Sequence, residues 1–147
     1  EREWYPVSLI FVKPDNFKMV NDTFGHEVGD KTLERFARRV GESLPTHAVP
    51  VRYRGNEIAV VLPGSNGESA AEVAAGARQV LASTSIDDLT GGTSFALSAS
   101  ASYATIPEDG EDTDLLIGTT NQTVYAARSA GGGRVWHISD APEETES

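Results

Sequence analysis

The sequence predicts an α+β fold in which helices flank a central, mostly antiparallel sheet. Three observations predict it. Short apolar runs of strand length alternate with longer segments whose apolar residues recur at three- and four-residue steps. Two of the strand runs, Val49–Tyr53 and Glu57–Leu62, are joined by the tight turn Arg54-Gly55-Asn56-Glu57. Gly and Asn both tolerate the positive φ of a hairpin turn, so the pair is antiparallel. Lastly, Phe95, Leu97, Ala99, Ala101 and Tyr103 alternate with serines and an alanine, the period of a half-buried strand.

The elements follow in order. The apolar run Pro6–Val12 is a buried strand, and Pro14-Asp15-Asn16 ends it and opens a short helix, Asn16–Phe24, whose Phe17, Val20 and Phe24 share a face. Gly25 stops that helix. His26 to Asp30 are expected to form a loop-like break before the long helix Lys31–Ser43, in which Leu33, Phe36, Ala37 and Val40 lie on one face. The hairpin strands come next, then the Ala-rich helix Ser69–Ser83, which starts in the capping region Asn66-Gly67-Glu68-Ser69. Strand Ser94–Tyr103, helix Thr113–Ala130 and a short strand Arg134–Ile138 complete the set.

Composition bounds the chain to one domain. With 147 residues and 39% apolar content it builds one substantial core and is too short for two typical domains. The domain is expected over residues 1–139, with an acidic, disordered tail over 140–147. Opening at Glu1 just before the first strand, the chain reads as a piece of a longer protein. There is no cysteine, which rules out disulfides and thiolate metal sites and fits a reducing cytoplasm. Apolar runs of about five residues are far short of the roughly twenty that span a bilayer, so no membrane contact by the domain itself is expected. A net charge of −10, from 22 acidic and 12 basic residues without a clustered basic stripe, argues against nucleic acid as a partner.

Two segments carry a family resemblance. Asp15, Phe17, Lys18, Asn21, Asp22, Gly25, His26, Gly29, Asp30 and Leu33 fall in register with the pattern Asp-x-Asp-x-Phe-Lys-x-x-Asn-Asp-x-x-Gly-His-x-x-Gly-Asp-x-x-Leu, and the hairpin at Arg54–Ile58 follows at the right distance. Thr123-Val124-Tyr125-Ala126-Ala127-Arg128-Ser129-Ala130-Gly131 is similar to the terminal helix and glycine loop of the same pattern. The chain thus resembles the GGDEF family, the diguanylate cyclases, over roughly Val7 to Ile138. The resemblance implies the ferredoxin-like palm of nucleotidyl cyclases.

It also implies a nucleotide site. Asn21 and Asp30 match the positions that recognise guanine, an amide offering donor and acceptor and a carboxylate accepting from the ring N–H and amino group. Asn16, Phe17 and Lys18 match the loop that receives phosphates at a helix N-terminus. Arg128 stands where the family places a lysine near the terminal phosphates, while the next basic position is Gly132, with Arg134 two residues on. Read locally, Asn21 and Asp30 are also a turn asparagine and a helix N-cap, and Lys18 and Arg128 are also ordinary surface charges.

The metal site is where the sequence departs from the pattern. The family brings two divalent ions to the triphosphate on an aspartate at the end of the first strand and an acid at the third hairpin position, and those positions are Lys13 and Asn56 here. One cation and one neutral amide replace two carboxylates, so Mg²⁺ is not expected to bind and no cofactor is expected to be required. Asp15 and Glu57 are the acids left nearby. Arg54 replaces the first hairpin glycine and adds bulk and charge; with Lys13 it forms either a cationic phosphate pocket or ion pairs that close the site. The product-inhibition motif Arg-x-x-Asp would fall at Pro45-Thr46-His47-Ala48 and is absent. Neither His26 nor His47 has a partner at metal-ligand spacing. The expectation is a degenerate, catalytically inactive GGDEF domain that binds GTP and reports to a neighbouring domain, a partner protein or a second copy, in a cytoplasmic setting. The alternatives are an active nucleotidyl transferase using Asp15 and Glu57, and a structural dimerisation domain.

Overall fold

The computed structural model describes residues 5–142, apart from the side chains of Arg52 and Arg54. The elements are β1 (Val7–Pro14), α1 (Phe17–Phe24), α2 (His26–Ser43), β2 (Val49–Arg54), β3 (Glu57–Pro63), α3 (Gly67–Ala82), β4 (Ala99–Ile106), α4 (Thr113–Ser129) and β5 (Val135–His137). The strands form one sheet in the order β2-β3-β1-β4-β5. Three of the pairings are antiparallel; β5 joins β4 in parallel. This is the α+β arrangement that the element order predicts and the palm that the family resemblance implies, with β1 at its centre and its sequence buried almost throughout.

Alternation along the strands sorts the core into two layers. Ile10 and Val12 of β1, Ile58, Val60 and Leu62 of β3 and Ala99 and Ala101 of β4 pack with Val20, Phe36 and Val40 of α1 and α2 and with Ala70, Ala74, Ala77 and Leu81 of α3. The opposite face carries Phe11, Ala59 and Val124, with Ala104, Ile106 and Leu116 alongside, and α4 is the helix that covers it. Lys13, two residues beyond Phe11, falls on this second face.

Two element boundaries differ from expectation. Residues 26–30 are not a loop: α2 begins at His26, because Gly25 turns the chain at φ +94° and the next helix starts at once. Gly29, which suggested a break, is buried inside the helix, where a Cβ would lie 1.8 Å from Asn21 Oδ1. A glycine there serves helix contact. The second difference is at β4, which spans Ala99–Ile106 instead of starting at Ser94. Its partner β1 ends at Pro14, opposite Ala99, and begins at Val7, opposite Ile106, so the ladder's reach fixes both ends. The caps agree with the sequence: Asn66 Oδ1 accepts from Ser69 N at 2.9 Å at the start of α3, and Asp112 Oδ1 accepts from Leu115 N at 3.1 Å at the start of α4. Of the expected acidic tail, residues 143–147 lie outside the described part.

Candidate nucleotide site and its replaced metal position

The end of β1 and the β2–β3 turn meet beneath α4. Lys13 is 6% exposed, and its ammonium donates to Asn56 Oδ1 at 2.6 Å. Nζ also lies 4.8 Å from the centre of the Tyr125 ring, a cation–π contact. Tyr125, near the end of α4, donates through its hydroxyl to Glu57 Oε1 at 3.2 Å. Glu57 is 1% exposed, and its second oxygen, Oε2, has no hydrogen-bond partner among the described residues. Burial pushes the Lys13 ammonium below the usual lysine range; the Glu57 carboxylate pulls it back, and the Arg128 guanidinium adds to the push.

Asp15 turns toward the β4 side of the sheet. Its Oδ1 accepts from Ser100 Oγ at 2.8 Å. Its Oδ2 accepts from Ser98 Oγ and, at 2.9 Å, from the Gly133 N–H. Gly132 has φ +71°, and a Cβ on it would sit 2.5 Å from the same carboxylate. The missing family arginine thus coincides with a loop pressed onto Asp15, where a side chain has no room. Arg134 does not replace it: its Nε donates to Gly132 O at 3.2 Å and its guanidinium lies 5.6 Å from the centre of the Trp136 ring. Asp15 is therefore spent on β4 and the α4–β5 loop, and Glu57 on α4, with β1 between β3 and β4.

These residues do not fit the two divalent ions that the family pattern implies. An ammonium already contacts the hairpin amide, and a hard cation finds one buried carboxylate where it needs several oxygen ligands. Among the described residues no three of His, Cys, Asp and Glu converge on a point. The Arg54 side chain, one candidate for a cationic pocket with Lys13, lies outside the described part.

The remaining predicted residues divide into two groups. Around the start of α1, Phe17 is buried, and the Asn16 amide donates to Ala96 O at 2.9 Å while its Oδ1 accepts from Ser98 N at 3.3 Å. Arg128 Nε donates to Asp15 O at 2.9 Å, which brings its guanidinium to this loop. Lys18 projects into solvent and pairs with Asp22 at 3.1 Å, an exposed contact of little energetic weight. At the α1–α2 corner, the half-exposed Asn21 lies against Gly29, next in sequence to the exposed Asp30. Asp30 is the fifth residue of α2 and so is not an N-cap. His26 is the first residue of α2, and His47 Nε2 lies 3.2 Å from Ser65 Oγ.

Sequence reasoning missed three participants. Tyr125 joins Lys13 to Glu57, and Ser98 and Ser100 hold Asp15. The serine spacing was a signal, since alternate residues of a strand share a face. Tyr125 carried none, because its role depends on where α4 crosses the sheet.

Comparison with known proteins agrees with this architecture. The family model for the diguanylate cyclase GGDEF domain matches residues 1–134. Response regulator PleD of Caulobacter vibrioides (strain NA1000 / CB15N) is 28% identical over 130 residues, 88% of this chain and 29% of that protein. Diguanylate cyclase VdcA of Vibrio cholerae serotype O1 is 30% identical over 130 residues, 88% of this chain and 38% of that protein. The chain thus spans less than two fifths of the length of these curated relatives. The solved active GGEEF domain of a diguanylate cyclase from Vibrio cholerae superposes with a TM-score of 0.79 at 25% identity, covering 95% of this chain and 85% of that one. Palm topology, the motif from Asp15 to Leu33 and the family match together establish that this chain belongs to the GGDEF domain family of diguanylate cyclases.

Proposed function

We propose that this GGDEF domain makes no cyclic di-GMP and serves as a guanine-nucleotide-binding regulatory module in cyclic di-GMP signalling. The observation that carries the reading is the 2.6 Å contact between Lys13 Nζ and Asn56 Oδ1. It joins the two positions at which the family pattern calls for metal-binding carboxylates. Without the ions, the attacking 3′-hydroxyl is not activated and the α-phosphate is not polarised. The residues proposed to hold a nucleotide remain, apart from the basic position replaced by Gly132. Asn21 and Asp30 take the base, the Asn16-Phe17-Lys18 loop and Arg128 take the phosphates, and Mg²⁺ is not required. Occupancy is passed to a neighbouring domain, a partner protein or a second copy in the cytoplasm, in keeping with relatives much longer than this chain.

Calorimetric titration of GTP into the purified domain, with and without Mg²⁺ and with ATP as control, tests this, with the same samples assayed for cyclic di-GMP. Selective GTP binding that ignores Mg²⁺, without product, is the expected result. Mg²⁺-dependent product would overturn the inactive reading, and absence of binding in both conditions would leave a structural module.

A further inference from the structure

We propose that the Lys13 ammonium is a tethered replacement for a divalent cation: it supplies, from within the chain, the positive charge that lets Glu57 stay buried beside the hairpin turn. The inference concerns the unliganded domain and does not depend on nucleotide binding.

Three observations carry it. The Glu57 side chain is 1% exposed, keeps one oxygen on the Tyr125 hydroxyl and has no partner on the other among the described residues. A buried carboxylate in that condition needs a positive charge close by, because desolvation of an uncompensated ion costs several kcal/mol. Lys13 supplies it, since its ammonium is itself nearly buried, bound to the amide of the adjacent Asn56 and within electrostatic reach of the Glu57 carboxylate. The Tyr125 ring closes the group by facing the ammonium while its hydroxyl holds Glu57. A compact point charge on a flexible stem suits such a position, and a planar guanidinium does not. Among the described residues Arg128 also acts on Lys13, but it is occupied by the Asp15 carbonyl oxygen and stays exposed. It repels Lys13 and does not share its task.

The inference predicts that exchanging the ammonium for a carboxylate lets a free cation take its place. Thermal unfolding is compared for the unaltered domain, Lys13→Asp, Glu57→Gln and the double variant, each with and without millimolar MnCl₂, and bound Mn²⁺ is counted by its paramagnetic resonance signal. In the unaltered domain Mn²⁺ leaves the melting temperature unchanged. In Lys13→Asp, which offers two carboxylates and the Asn56 amide oxygen, it raises the melting temperature by several degrees and binds near one equivalent, whereas in the double variant, which keeps one carboxylate, both effects are much weaker. The two substitutions are also coupled: without Mn²⁺, Glu57→Gln is less damaging, or stabilising, in the Lys13→Asp background. Additive substitutions, or a Lys13→Asp variant that ignores Mn²⁺, would overturn the inference. If Lys13→Asp does not fold alone, folding of the double variant supports the coupling, and failure of both counts against it.

Discussion

At the residue scale, single atoms decide whether a family position retains its role. Asn21 lies against Gly29 so closely that a methyl group at 29 would collide with its amide oxygen at 1.8 Å. Gly29→Ala is therefore expected to push the half-exposed Asn21 amide aside and to press on Phe17 at 3.3 Å. The net destabilisation is expected to be small, within about 1 kcal/mol, because alanine recovers up to about 1 kcal/mol in a helix interior. Urea unfolding checks the sign, and weakened GTP affinity in the same variant would tie the displaced Asn21 to the base site. The motif from Asp15 to Leu33 was legible in the sequence because its spacing is fixed within two consecutive helices. The contacts of Asp15 were not. Its partners Ser98, Ser100 and Gly133 are more than eighty positions away, and only sheet register and a glycine loop bring them in.

At the element scale, the hairpin was readable from its turn residues, while the start of α2 and both ends of β4 were set by tertiary partners. Glycine signals a break only on average. At position 29 it marks the crossing of two helices, and at position 25 it marks the corner. The β4–β5 seam offers a test at this scale. Tyr103 of β4 packs against the His137 ring of β5 at 5.2 Å, and its hydroxyl is held above the ordinary tyrosine range by burial first, then by Asp140 and Asp109. A phenol whose folded-state pKa is raised contributes stability that is complete below the unfolded value of about 10 and is lost as pH climbs through the folded value. Tyr103→Phe is therefore expected to lose less stability than the unaltered domain above about pH 10, as read from melting temperatures against pH.

At the scale of the whole molecule, a net charge of −10 on one small domain implies self-repulsion that salt screens. Raising NaCl from about 0.05 M to about 0.5 M shortens the Debye length to a few ångströms, so the melting temperature is expected to rise. A fall would mean that attractive ion pairs such as Arg35–Asp88, at 2.7 Å, outweigh the net repulsion. The described helices include none long and apolar enough to cross a membrane. By itself the sequence determined the fold class, the order of elements, the family motif and the loss of two carboxylates, because periodicity, turn chemistry and charge are local properties. Only the tertiary structure decided that Lys13, Asn56, Glu57 and Tyr125 form one connected group around two buried charges and that Asp15 is spent elsewhere. Those facts depend on which strands are neighbours and on where α4 crosses them, and burial then sets how strongly each charge must be matched.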